Sequence, residues 1–459
     1  MRNTILATVL AFGLYTPLLA DELKPVELTI HARAIESPML KYRLLPSEAE
    51  LKPGNAAPIL LRIPWENTAY FNKVFPTLEE WDSRPMTDPK WKNFRGVMPF
   101  NDEMKRAAFR RDAFWEYPIG EEPAAFILLP DVQGLRALLG YGLSAEIRYC
   151  LLQGELSEAR ENVLIGLANG RHISQTPFFV NQLVAAVIHR SMLDRTADMI
   201  AQPNSPNLYW ALSTLPESLV ELHRAASLEA SMFGMTFPAA NDLERPRDVE
   251  EWRKMLVQLV ALLGGFGDTR PQDPKLEESR RVELIQIARA ELAQVLQISA
   301  EQVAAMPDDE AGVRWCVRVR ANSDQQACAA MCLTPREAWP RLAQYDADVK
   351  LITQKSKLTT LEFFDPTSVY LPAWSLKRRV DALRIIEAVR HHLATHNGKL
   401  PASLADIEGL PIPRDPLTDE PFEWTVEGNT ATLKALFLPS EPKQDGSLEH
   451  RINFLLRVE

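Results

Sequence analysis

Apolar positions recur at intervals of three and four over residues 131–360, which predicts a run of amphipathic helices. Leu135, Leu138, Leu139, Leu143 and Ile147 share one face of the first. Gly154 predicts a turn, and residues 156–167 open a second helix with Ser157 as its cap. Pro177 starts a third, apolar along Leu183, Val184, Val187, Ile188 and Met192. Further helices are predicted over 215–232, 249–263, 277–296 and 308–331, the last broken near Asn322. Thr334-Pro335-Arg336-Glu337 starts another: Thr334 caps, Pro335 suits the first helical position, and Glu337 completes a capping box.

The flanks have other patterns. Residues 21–130 are irregular and rich in proline and aromatics, with a weakly alternating strand at Val26 to Ala32 and short helices over 55–65 and 79–95. Trp65, Trp81, Trp91 and Trp115 are expected to pin this segment to the helical body; a carbohydrate-stacking surface is the sharper alternative. Towards the other end, Leu376, Val380, Leu383, Ile386, Val389 and Leu393 form one stripe of a long helix, which Asn397-Gly398 ends. A short helix over 403–407 follows. Phe422, Trp424 and Val426 alternate, Glu427-Gly428-Asn429 turns the chain, and Ala431, Leu433 and Ala435 alternate back. Ile452, Phe454, Leu456 and Val458 alternate once more. The expected fold is mainly α: a repeat-like array of antiparallel helical hairpins with a small C-terminal α+β module, a helix on about three antiparallel strands. Its expected parts are a signal peptide (1–20), the irregular N-terminal segment (21–130), the helical body (131–360) and the C-terminal module (375–459).

Composition narrows the setting. A formal charge of −10 argues against nucleic acid as a partner, because no cationic surplus exists to release counterions from phosphates. Arg2, the short apolar run from Ile5 to Tyr15, Pro17 and the small residue Ala20 read as a cleavable export signal, too short to span a bilayer. The expected localisation is periplasmic or secreted, without stable membrane insertion. Export permits disulfides. Of Cys150, Cys316, Cys328 and Cys332, a Cys316–Cys328 bridge requires the chain to reverse near Asn322-Ser323-Asp324; free, partly buried thiols are the simpler expectation. No paired C-x-x-C motif suggests zinc.

Several strings together resemble a family of uncharacterised exported proteins of planctomycete bacteria. They are Leu40-Lys41-Tyr42-Arg43-Leu44-Leu45-Pro46, Pro53-Gly54-Asn55-Ala56-Ala57-Pro58, Pro206-Asn207-Leu208-Tyr209-Trp210-Ala211-Leu212 and Gly398-Lys399-Leu400-Pro401-Ala402-Ser403-Leu404. The run from Pro413 to Trp424 belongs with them, and departs from the family pattern at Thr418-Asp419-Glu420, where a turn with glycine in the middle is more usual. The resemblance implies an exported helical protein and supplies no catalytic residues. The C-terminal run is also similar to the helix-plus-hairpin head of type II secretion pseudopilins. Leu151 to Arg160 looks like the turn of a tetratricopeptide hairpin, though no regular 34-residue period follows.

Candidate chemistry is sparse. His392 and His396 stand at i, i+4, a spacing that can chelate zinc, but no H-E-x-x-H follows and they are expected to flank a solvated face. Asp415 and Asp419 with Thr418 can offer oxygens to calcium; the simpler expectation is an Asp-Pro turn capped by Asp415. Gly264-Gly265-Phe266-Gly267 reads as a helix terminator, since a phosphate loop follows a strand. Tyr209 and Trp210 line either a groove or a buried corner between helices. No catalytic residue, cofactor or metal site is nominated. The expected function is a non-enzymatic exported scaffold that takes a protein or peptide partner. The alternative is a hydrolase or carbohydrate-active enzyme whose site is assembled from distant residues.

Overall fold

A computed structural model describes residues 25–94, 100–117, 132–263, 274–356, 365–435 and 451–459. The signal segment and the Gly264–Gly267 turn expected above lie outside the described residues. The protein is mainly helical with a small sheet. It divides into two compact units. One draws on Leu18–Glu116, Leu128–Ala225 and Ser368–Glu459; the other is built from Ala226–Thr367.

In chain order the strands are β1 (Val26–Ile30), β2 (Lys52–Asn55), β3 (Arg110–Asp112), β4 (Glu423–Glu427), β5 (Thr430–Ala435) and β6 (Ile452–Val458). The helices used below are α1 (Ala57–Glu66), α2 (Thr68–Ser83), α3 (Asn101–Ala108), α4 (Leu143–Gln153), α5 (Leu156–Ser174), α6 (Phe179–Ile200) and α7 (Tyr209–Ser213). They continue with α8 (Leu222–Thr236), α9 (Val249–Leu263), α10 (Pro274–Leu296), α11 (Ala300–Ala305), α12 (Asp308–Met331), α13 (Pro335–Ser356) and α14 (Thr367–Thr395).

The first unit carries the sheet, in the order β1-β6-β5-β4. The expected antiparallel strands β4, β5 and β6 are present, with Gly428 at positive φ in the hairpin turn. A fourth strand corrects the expectation of about three: β1 lies parallel to β6, with Val26 opposite Phe454 and Ile30 opposite Val458. Alternation marked β1 as a strand but does not reveal its partner. Pairing there satisfies a row of β6 backbone groups that would otherwise form an open edge. Phe422 is buried, whereas Trp424 is only half-buried and donates its indole N–H to the Pro401 carbonyl at 3.0 Å.

Helices α4, α5 and α6 form the helical layer of this unit. Gly154 ends α4 with φ +78, which an L side chain adopts only under strain. Glu155, not Ser157, precedes the first turn of α5. Gly166 and Gly170 let α5 approach α6 closely: an added Cβ would meet Met192 Sδ at 2.2 Å and the His189 ring at 2.7 Å. Helix α8 starts later than expected. Pro216 disfavours helical backbone before it, and Ser218 bonds locally to Val220 instead of feeding a helix.

Helix α14 departs most from its pattern. Its apolar stripe is buried as expected, but Arg378, Asp381, Glu387, Arg390 and His392 on its other sides are buried too. It is a central helix with polar partners around it. The expectation of a solvated face bearing His392 is therefore overturned.

The second unit is helical throughout its described residues. Its core gathers Trp252, Leu256 and Leu259 of α9, Leu284 and Leu292 of α10, and Val313, Trp315 and Val317 of α12. Helix α12 runs unbroken through Asn322. Cys316 and Cys328 thus stand twelve residues apart on one helix, roughly 18 Å at 1.5 Å per residue. No bridge forms between them; both are free, buried thiols. At the start of α13 the Thr334 hydroxyl donates to the Glu337 carboxylate at 2.8 Å.

Candidate functional site

Tyr209 and Trp210 form a corner. Tyr209 is fully buried, its hydroxyl donates to the Pro411 carbonyl, and the Arg384 guanidinium lies 5.4 Å from its ring centre. Trp210 meets it edge-on at 5.2 Å. The corner is keyed by the residues before it. Asn207 accepts from the Tyr209 N–H at 3.1 Å and donates to the carbonyls of Arg33 (3.1 Å) and Glu387 (2.9 Å). Glu387 accepts from the Leu208 N–H at 3.0 Å. Arg390 donates to Glu387 at 2.8 Å and to the carbonyls of His31, Ser205 and Pro206 at 3.1, 2.9 and 3.3 Å. Glu387 and Arg390 are both wholly buried. Burial raises the Glu387 carboxyl above its ordinary range, and the Arg390 charge opposes that rise. This node joins the exit of β1, the Pro206–Tyr209 string and the middle of α14.

A second buried pair sits in the Asp-Pro turn. Asp415 accepts from Arg378 Nε at 2.9 Å, from the Leu417 N–H at 3.1 Å and from the Thr418 hydroxyl at 3.0 Å. The expected self-capped turn is there, with the buried Arg378 guanidinium as a further partner of Asp415. Asp419 takes φ +59 in this turn. Asp tolerates that conformation because its short side chain bonds locally.

A third cluster spans α2, α4, α6 and α14. Ser144 donates to Asp82 at 2.5 Å. Arg195 lies 3.4 Å from Asp82 and 3.1 Å from Asp198; Arg148 lies 3.7 Å from Asp198; Arg379 pairs with Asp194. Burial raises the Asp82 and Asp198 carboxyls against the pull of the arginines, and lowers Arg148 and Arg379. Such shifts mark either functional sites or structural ion networks.

Among the described residues the histidines form no group of three potential metal ligands. His392 and His396 stack at 3.8 Å, which aligns their ring planes, and His391 Nδ1 accepts from the Ile35 N–H at 3.3 Å. Burial lowers His391 and His392, with the His396 charge adding to it. Pattern reading passed over one trio of potential ligands: Cys150 Sγ and carboxylates of Glu155 and Glu158 lie within 4.8 Å of one another. Burial first, then Glu158, Glu146 and Glu155, push the Cys150 thiol up to about 12. Glu158 lies in the first turn of α5 and Glu155 just before it, where the helix dipole favours carboxylates without a metal.

One hollow remains. Helices α1 and α3 enclose a cavity of about 410 Å³ lined by Pro58, Ile59, Ile63 and Phe100, with Arg62, Glu66, Asn67, Glu103 and Arg106 at its edge. Phe100 is held from behind by Phe71 (5.8 Å, stacked) and Tyr70 (5.7 Å, edge-on). Two exposed ion pairs border it, Arg62–Glu66 at 3.0 Å and Arg106–Glu103 at 3.8 Å. Trp65 stands i+7 from Pro58 and i+3 from Arg62, so it projects along the border of the lined face. It is 82% exposed. The other tryptophans of the segment are engaged as expected: Trp81 and Trp91 pack with Phe94, and Trp115 donates to the His172 carbonyl at 2.8 Å. Leaving roughly 200 Å² of indole in water forgoes on the order of 4–5 kcal/mol of burial.

Comparison with protein-family models, with curated proteins and with solved structures returns no match for this chain. Among the described residues no helix is long and apolar enough to cross a membrane.

Proposed function

We propose that this protein is an exported interaction protein whose recognition face is the α1/α3 hollow with Trp65. One observation carries the proposal: an indole left 82% exposed on the helix that lines a cavity of about 410 Å³, within the span of small-ligand sites. The polar clusters elsewhere act as fasteners, since each ties chain segments together through several bonds. The setting comes from the export signal and the resemblance to planctomycete exported proteins, and the α4–α6 hairpins belong to the repeat-like array on this reading. A binding array of peptides and glycans tests it. The wild-type protein is expected to retain ligands that Trp65→Ala loses; a ligand profile unchanged by that variant overturns the proposal.

The second reading, a hydrolase, is favoured by Asp82 and Asp198, two raised carboxyls bridged by Arg195. It expects turnover of a chromogenic ester or glycoside that Asp82→Asn abolishes while Trp65→Ala leaves it.

A further inference from the structure

We infer that the α1/α3 hollow takes a neutral saccharide, with the Trp65 indole as the platform for one sugar ring; this rests on the recognition role given to the hollow above. Charge is the first argument. The edge presents two guanidiniums and two carboxylates, so an anion meets Glu66 and Glu103 and a cation meets Arg62 and Arg106. A neutral ligand that both donates and accepts avoids either repulsion. Hydroxyl groups do both. Arg62 and Arg106 offer donors, Glu66 and Glu103 offer acceptors, and Asn67 keeps its carbonyl oxygen free to accept because its amide N–H is committed to Ile63 at 2.8 Å.

The edge groups are also able to turn towards a ligand. Exposed ion pairs such as Arg62–Glu66 hold only weakly, because water screens them. Exchanging one for hydrogen bonds to hydroxyls is nearly neutral. The indole supplies what polar groups cannot. A pyranose carries one face of C–H bonds, and the negative face of an aromatic ring attracts such weakly positive hydrogens. Phe100, braced by Tyr70 and Phe71, gives a second, fixed apolar wall. A cavity of this size suits a mono- or disaccharide unit of a longer chain. An extended peptide is less well served, because the walls are helices whose backbone groups are bonded internally and offer no strand edge.

The test uses the full chain and a panel of neutral oligosaccharides, including cellobiose, maltose and chitobiose, read by saturation-transfer NMR and calorimetry. At least one is expected to bind. Trp65→Ala should weaken it tenfold or more, Trp65→Phe should keep part of the affinity, and Glu66→Gln should weaken it several-fold. An unchanged circular dichroism spectrum and melting temperature for Trp65→Ala would show that the loss is not unfolding. Saccharide binding that survives Trp65→Ala, or no saccharide binding at all, overturns the inference. In that second case, peptides captured by the wild type and lost by Trp65→Ala would keep the hollow as a recognition face. Loss of nothing in that variant would overturn both.

Discussion

The two units are held by different chemistry. In the unit that carries the sheet, the wholly buried pair Glu387–Arg390 and the buried pair Arg378–Asp415 sit inside the fold and bind backbone from distant segments. In the helical unit, the core is Trp252, Leu256, Leu284 and Trp315, and ion pairs such as Arg320–Asp324 at 2.8 Å and Arg281–Asp309 join a buried carboxylate to an arginine that is only partly covered. Apolar packing is tolerant of exchange at constant volume, whereas a buried charge is stable only with its own partner. The first unit should therefore be brittle towards single polar changes and the second towards cavities.

Arg390→Ala should give the largest effect. It strands the Glu387 carboxylate and three carbonyls in the interior, and should cost about 3–5 kcal/mol in urea unfolding of the full chain. Pairing it with Glu387→Leu should recover only part, because the carbonyls of His31, Ser205 and Pro206 remain unserved. Full recovery would mean that the pair, not the node, matters. Trp315→Ala should cost a similar ~3–5 kcal/mol in the helical unit through cavity formation, and Trp315→Phe distinctly less.

Acid sharpens the contrast from another side. Burial holds His189 down to about 3 and His172 to about 4, so both are neutral in the fold. A lowered histidine contributes stability that is complete above its unfolded value near 6.5 and is lost as pH falls towards the folded value. Between pH 6.5 and 4 His189 alone should remove about 3 kcal/mol, and His189→Gln should flatten that part of the pH–stability curve. Asp82 and Asp198 are raised and run the other way, so the difference between wild type and variant, not the raw slope, is the measurement.

His392→Ala should cost ~1–2 kcal/mol, since the ring is buried against His396; a value below ~0.5 kcal/mol would restore the solvated face. Reducing agent should do least. With Cys316 and Cys328 free on one helix, dithiothreitol should leave the melting temperature unchanged, and a fall of several degrees would show a bridge.

Local pattern was a good guide where one element decides its own fate. Residues 249–263 and 308–331 are helices with those bounds, Gly154 turns the chain, and Gly428 closes the β4–β5 hairpin. It was a poor guide where the partner is remote. Nothing in the pattern singles out Arg378 or Arg390, because hydropathy cannot separate a solvated guanidinium from one matched by a buried carboxylate. His392 was misplaced for the same reason. The hollow had a partial signal in Trp65, but four tryptophans in one segment look alike until packing separates the one left outside. Glu387–Arg390 and Arg195–Asp198 stand at i, i+3, but other members of their clusters come from segments too far away in the sequence for any spacing rule to unite them.

The parallel pairing of β1 with β6 has a consequence for how the molecule is made. Val26 is synthesised more than four hundred residues ahead of its mate Phe454. While the chain between them is being made, β1 has no β6 to meet, and the four-stranded sheet can close only after the intervening helices have been synthesised. Contacts so remote in sequence slow folding, because chain must be ordered before they repay it. The N-terminal segment thus waits with an unpaired, strand-forming stretch in hand, and a helper that shields Val26 to Ile30 in that interval would raise the yield of folded protein more than one acting on the helices.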